Sequence, residues 1–332
     1  MDAKIPSDDK KNNMPERFLP LTWTAEMTLS HLADAGDKDA IALFERLGLS
    51  NEEIIDSPAT MLSSEYRLTR TVFLNTRRRA MDAIAAVTGA SLFVDLPCGM
   101  SPRGIAYAEK GLPYLGVDLP PVIERMEKAA YSLTEKEKRP YIKYAAADAT
   151  DPDALLDAVA GNAERMLNTQ GLSGRGELCV ITEGLLMYLA EEETGRFCEG
   201  IARILSRFGG CWVSADPEMP LQMYLILRAV CGDSFSEVVK KDILRRPVTG
   251  RWLPDNPQWK SPLQIELRPD ISGQIANGKA YLSQFGLKAE RIPLSVFTER
   301  PILPEKLTSH QSEAVIDALK KVSCWVMTPD II

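Results

Sequence analysis

Histidine is almost missing from this chain: His31 and His310 are the only two in 332 residues. Both sit in polar surroundings, and two imidazoles so far apart argue against zinc hydrolysis and against a Ser-His-Asp triad. There is no G-x-S-x-G elbow and no G-x-x-x-x-G-K-[ST] phosphate loop. The six cysteines form no C-x-x-C pair, so neither a zinc knuckle nor a redox motif is expected. Cys98, Cys179, Cys198, Cys211, Cys231 and Cys324 read instead as free thiols, most of them buried, in a reducing compartment. Basic charge is in deficit, with 39 Lys and Arg against 46 Asp and Glu, which speaks against a nucleic-acid partner. Long apolar runs are missing as well. The strongest, Leu221–Cys231, is too short for a bilayer and contains Arg228. The polar start, MDAKIPSDDKKNNMPERF, has no apolar core of a signal peptide. No metal, no membrane and a cytoplasmic location are the resulting expectations.

What is present is an ordinary globular balance, 45% hydrophobic and 26% charged, enough for a large core. Residues 1–17 read as a disordered tail and 18–89 as a helical cap, with helical spacing through DAIALFERLGL and TRTVFLNTRRRAMDAIAAVTG. From residue 90 to 332 the pattern is strand–helix alternation. SLFVDL, YLGVDL, YIKYAAAD, ELCVITEG and CWVSADP read as strands, separated by helices that open on proline or acidic residues. Two further strands follow, in LKAERIPLSVF and SCWVMTP. The prediction is an α/β fold: a doubly wound, mostly parallel seven-stranded sheet, Rossmann-like, with the helical cap before it. An insertion of about 217–275 follows the fifth strand and reads as a lid or substrate segment. Its apolar stretch, PLQMYLILRAVCG, suits a buried helix, an acceptor-pocket wall or the contact of a homodimer.

Chemistry concentrates where apolar strands end. In SLFVDLPCGMSPRG the strand stops at Asp95 and breaks into Pro97, Gly99, Pro102 and Gly104. A dinucleotide site needs G-x-G-x-x-G, and here the first glycine is Pro97, so a ligand without a pyrophosphate is favoured. Asp118 ends the second strand 19 residues after Gly99, a good place to accept from a ribose diol, although it could equally cap the next helix. Asp148 ends the third strand and could accept from an adenine amino group or cap the following helix. Glu183 follows the central fourth strand, where a cationic ligand would explain a poorly solvated acid. Asp216 ends the fifth strand and suits a simple turn.

FVDLPCGMSPRG, GVDLP with PVIERMEKA, ITEGLLMYL and the preceding TRRRAMDA together resemble the successive motifs of the leucine carboxyl methyltransferase family. The resemblance spans roughly residues 65–217 and implies a class I S-adenosylmethionine-dependent methyltransferase. It implies that Arg77 or Arg79 holds the methionine carboxylate and that Asp95 and Gly99 line the methionine end. It implies Asp118, with Leu119, at the ribose and Asp148 with Ala149 at the adenine. Glu183 falls near the ligand's amino group and Tyr188 near the acceptor. Pro97 departs from the family's glycine, and Ser101–Pro102 from its acid and hydroxyl pair; Arg103 matches.

The implied reaction is an in-line displacement onto oxygen, with a small-molecule carboxylate or hydroxyl as acceptor. A carboxylate needs no base at neutral pH, whereas a hydroxyl benefits from one, and Glu183 or Tyr188 are the candidates. A protein carboxyl acceptor is the second reading. A catalytically silent S-adenosylmethionine-binding regulator and, last, an NAD(P)-dependent oxidoreductase are the readings from other classes.

Overall fold

The computed structural model describes residues 19–50, 64–171, 177–236, 261–267, 269–297 and 306–330. The tail expected over 1–17 and much of the insertion lie outside them. Among the described residues three helices come first: α1 (Leu19–Asp34), α2 (Lys38–Arg46) and α3 (Ser64–Ala86). Alternation follows, with β1 (Leu92–Asp95), α4 (Arg103–Glu109), β2 (Tyr114–Asp118), α5 (Pro120–Leu133), β3 (Ile142–Ala146), α6 (Pro152–Thr169), β4 (Leu178–Thr182), α7 (Glu191–Phe208) and β5 (Gly210–Ser214). Then come α8 (Met219–Cys231), α9 (Ile271–Ser283), β6 (Leu287–Pro293), α10 (Ser309–Leu319) and β7 (Ser323–Pro329).

Local chemistry explains the boundaries. Proline opens α5 at its first position, where its missing N–H is no loss. Asp151 caps α6 by accepting from the N–H groups of Asp153 and Ala154, with Pro152 next. Glu191, Glu192 and Glu193 fill the first turn of α7, where negative charge meets the positive end of the helix dipole. Phe197, Ile201, Ile204 and Leu205 make its buried stripe, and Phe197 meets Trp212 of β5 edge to face at 5.4 Å.

The seven strands run in the order β3-β2-β1-β4-β5-β7-β6. β1 to β5 are parallel, as the alternation requires, and β7 is antiparallel to both β5 and β6. This is the predicted doubly wound seven-stranded sheet. Apolar clusters cover both faces: Phe93 packs into one, Leu92 and Val94 into the other. Gly104 lets α4 lie against the sheet, since a Cβ there would stand 2.7 Å from the Tyr114 ring. The apolar face of α8 is spent inside the chain, with Leu221, Met223, Ile226, Leu227 and Val230 buried. That agrees with the buried-helix reading of this stretch. All six cysteines are free, and only Cys231 is not fully buried.

One acidic residue ties the end of the sheet together. Glu218, 1% exposed, follows β5 in a 3-10 turn and accepts from Arg291 of β6 through Nε at 2.6 Å and Nη2 at 2.9 Å. It also accepts from the Ser323 N–H at 3.0 Å and the Trp325 Nε1–H at 2.7 Å, both in β7. Glu218→Ala strands those donors, two of them buried, and should cost about 3 kcal/mol. A urea unfolding midpoint unchanged from the parent chain would contradict this.

Candidate active site

Strand order reverses between β1 and β4, the place where open α/β sheets carry their ligands. The carboxyl ends of these parallel strands form one rim. Asp95 ends β1, Asp118 ends β2, Asp148 lies two residues beyond β3, Glu183 follows β4, and Asp216 lies two residues beyond β5. The acids singled out in the sequence therefore share one edge, and Asp95 and Glu183 flank the reversal.

A buried charge network fills that point. Arg103 at the start of α4 is 1% exposed and reaches three carboxylates. Its Nε donates to Asp82 at 2.6 Å, its Nη1 to Asp95 at 2.7 Å and its Nη2 to Glu183 at 3.0 Å. The Tyr114 hydroxyl also donates to Asp95, at 3.0 Å. Burial pushes Asp95 up to about 6, against the pull of Arg103. Glu183 goes the other way. Burial alone would raise it, but Arg77 and Arg103 outweigh burial and hold it below the usual carboxylate range. With one oxygen on each guanidinium, Glu183 is ionised and bridges the two arginines.

The arginine pair of the sequence separates cleanly. Arg79 is exposed, while Arg77 is 3% exposed and faces the rim. Arg77 Nε donates to Glu183 at 2.9 Å, and its guanidinium lies over the Phe73 ring, 5.0 Å from the centroid. Its Nη1 meets the Met219 thioether sulfur at 2.9 Å. Sulfur is a poor acceptor for a guanidinium, so a carboxylate oxygen would satisfy that donor far better.

Gly99 adopts φ +49°, a conformation that L side chains rarely take. Its N–H donates to Asp118 Oδ2 at 2.7 Å, and the Leu119 N–H donates to Asp118 Oδ1 at 2.7 Å. Asp118 thus fixes the glycine turn rather than capping α5, whose N-cap is Leu119. Each oxygen keeps a further lone pair for a donor from outside. Burial raises Asp118 to about 6, against those two N–H groups. Asp148 accepts from the Thr150 N–H and hydroxyl, both at 2.8 Å, and Asp151, not Asp148, caps α6. Ala149 is half-buried beside it. Asp216 accepts from the N–H groups of Gly184, Leu185 and Leu186 at 2.6, 2.6 and 3.1 Å, so it builds the turn that carries Glu183.

Helix α1 lies over this rim. A Cβ on Gly99 would stand 3.5 Å from Ala25, and Glu26 pairs with Arg125 at 2.9 Å. Tyr188 hydrogen-bonds Thr24; burial raises its phenol, while Arg70 and Arg77 pull it down. Arg70 is seven residues before Arg77 on α3, which puts both on one helix face. Its Nη2 points at the Met27 sulfur at 3.5 Å, and its enclosed Nε has no partner. His31 is a correction to the polar setting expected of it: the ring is buried, and Nδ1 lies 2.9 Å from the Thr71 hydroxyl. Burial, then Arg70 and Arg67, lower it to about 3, so it is neutral and a weak base.

Sequence reasoning missed Arg70, Asp82, Tyr114 and the central place of Arg103. Of these, Arg103 alone left a signal: it matches the family that the turn resembles.

Neither a protein-family model nor a curated protein matches the chain. Solved structures do. Human N-acetylserotonin methyltransferase in complex with SAM matches at 13% identity and a TM-score of 0.38, over 92% of this chain and 67% of its own. An O-methyltransferase family protein from Burkholderia thailandensis matches at 12% identity and a TM-score of 0.37, over 91% and 72%. The fold itself rests on the strand order and directions described above.

Proposed function

We propose that this chain is an S-adenosylmethionine-dependent O-methyltransferase acting on a small-molecule carboxylate, related to the leucine carboxyl methyltransferases that its motifs resemble. The observation that carries the reading is the buried Arg77, whose Nη1 meets only a thioether at the switch point of the sheet. The residues around it fit the methyl donor. Arg77 would hold the methionine carboxylate, and the Gly99 turn would line the methionine end beside Asp95. Asp118, next to Leu119, would accept from the ribose diol, and Asp148 with Ala149 would meet the adenine. When bound, the donor supplies an electrophilic methyl group on a sulfonium.

Two features favour a carboxylate acceptor over a hydroxyl. The bases that the sequence offered for the acceptor, Glu183 and Tyr188, are not poised for it, and neither is His31. Glu183 is engaged by two guanidiniums, the Tyr188 phenol is raised, and His31 is held at about 3. An acceptor already ionised at pH 7 needs none of them. Arg70, beside Tyr188 and paired with no carboxylate among the described residues, suits an anionic acceptor. Glu183 thus acts as a positioning residue for Arg77, and Tyr188 as a wall of the acceptor site.

The test is transfer of labelled methyl from S-adenosylmethionine to a panel of aromatic and aliphatic carboxylic acids, each beside its alcohol. Labelled esters support the reading; labelled ethers from the alcohols alone overturn the acceptor class. A pH profile adds a check on Asp118. The ribose diol donates to the ionised carboxylate, so donor affinity should fall as pH drops below about 6, approaching tenfold per unit. Asp118→Asn should bind more weakly and lose that dependence. Titrations of parent and variant that coincide from pH 5 to 7.5 would remove Asp118 from the ribose site.

A further inference from the structure

A second cleft, of about 650 Å³, lies across the open edge of the sheet at β3. Its walls come from α5 on one face and α6 on the other, with the segment leading into β3 between them. Lys143 and Tyr144 lie in the body of β3, ahead of its carboxyl end at Ala146, so this cleft does not share the rim of the candidate active site.

Four cationic side chains line it: Lys136, Arg139, Lys143 and Arg165. None pairs with a carboxylate among the described residues. Arg139 Nε donates to the Thr134 carbonyl, and Arg165 donates to the Gly161 carbonyl and the Asn162 side-chain oxygen. Lys143 Nζ lies over the Tyr131 ring, 5.8 Å from its centroid. Lys136 has no ion pair among the described residues. Burial and the one acidic residue lining the cleft, Glu127, raise the nearby Tyr131 phenol, whose hydroxyl donates to the Ile142 carbonyl at 3.3 Å. Four positive charges thus face one, on a chain whose net charge is −7. Several arginines elsewhere do find acids: Arg125 pairs with Glu26 and Arg203 with Asp153.

A second observation is independent of charge. Tyr144 also lines the cleft and is 7% exposed, yet its enclosed hydroxyl has no hydrogen-bond partner. A buried hydroxyl left unmet is costly, and a ligand oxygen reaching it from the cleft would relieve that cost. Protection of an edge strand against pairing accounts for Lys143. It does not account for Arg139 and Arg165, which lie off the strand, or for Tyr144.

We propose that this cleft is a binding site for a phosphorylated small molecule, separate from the methyl-transfer site. A single carboxylate would occupy one guanidinium. A phosphate ester presents several oxygens to Lys and Arg at once and can accept from a phenol. The volume lies within the ordinary range of ligand pockets. The inference does not depend on the methyltransferase reading.

The test is calorimetric titration of the full chain with inorganic pyrophosphate, beside flotation with phosphatidylcholine vesicles carrying phosphatidic acid. Parent chain, Lys143→Glu, Arg165→Glu and Tyr144→Phe are compared, each checked for an unchanged melting midpoint. Pyrophosphate binding that weakens at least tenfold in both charge reversals and about threefold in Tyr144→Phe supports a site for a free phosphate ester. Binding confined to the vesicles and lost in the same variants assigns the phosphate to a lipid headgroup. Absence of binding in both arms, or binding that neither charge reversal alters, overturns the proposal.

Discussion

Arg103→Met should destabilise the chain by about 3–5 kcal/mol, the ordinary cost of removing one partner from a buried ion network. The guanidinium is 1% exposed and serves Asp82, Asp95 and Glu183 together. Without it Asp95 keeps only the Tyr114 hydroxyl, and Glu183 keeps only Arg77. The pH dependence has a definite sign. Asp95 already titrates near 6, above its ordinary value. Losing Arg103 raises it further and lifts Glu183 too. An acid whose folded pKa is raised penalises the fold at pH values above it and relieves that penalty as pH falls through it. The variant should therefore be least stable near neutrality and recover part of its loss toward pH 5. Urea melts at pH 7 and pH 5 measure this. A deficit that is equal at both values would mean that lost packing, not stranded charge, is the cause.

Arg77→Met should weaken S-adenosylmethionine binding by about 100-fold, within the range for truncating one partner of a buried charge pair. The Met side chain replaces the aliphatic stem beside Phe73 and Met219, and Arg103 still neutralises Glu183. Stability should therefore suffer far less than in Arg103→Met. The matched control is Arg79→Met. Arg79 is exposed on the same helix, and its replacement should leave the affinity within about twofold, as surface changes usually do. Equal losses in the two variants would show that α3 contributes general positive charge rather than one clamp.

The sheet was legible because its parts announce themselves locally. Apolar runs stop at Asp95, Asp118 and Asp216, and Pro120 and the Asp151–Pro152 pair mark helix starts. Parallel strands then bring every such ending to one rim, so the candidate residues could be chosen before any contact was known. What each acid does there was not legible. Arg103 meets Glu183 across 80 positions of sequence and Arg77 meets it across 106, and no local pattern encodes such a pairing. The same limit hid the choice between Arg77 and Arg79, which differ only in the direction they leave α3. His31 looked solvated because its neighbours in sequence are polar; the packing of α1 on α3 buries it against Thr71. Asp216 read as part of a turn, and it is, but the turn it builds is the one that presents Glu183.

The acids at this rim differ in what holds them: Asp95 and Glu183 are held by guanidiniums, Asp118 and Asp216 by backbone N–H groups. The proposed function gives Asp118 to the ribose and Glu183 to the positioning of Arg77. Both roles rest on Arg77 and the Gly99 turn forming a methyl-donor site, and one measurement addresses that directly. It is calorimetric titration of the full chain at pH 7.5 with S-adenosylmethionine, its demethylated product S-adenosylhomocysteine, and NAD. The account predicts one-to-one binding of the first two with micromolar affinity and no heat from NAD. Silence from both sulfur nucleosides, or binding of NAD in their place, would contradict it.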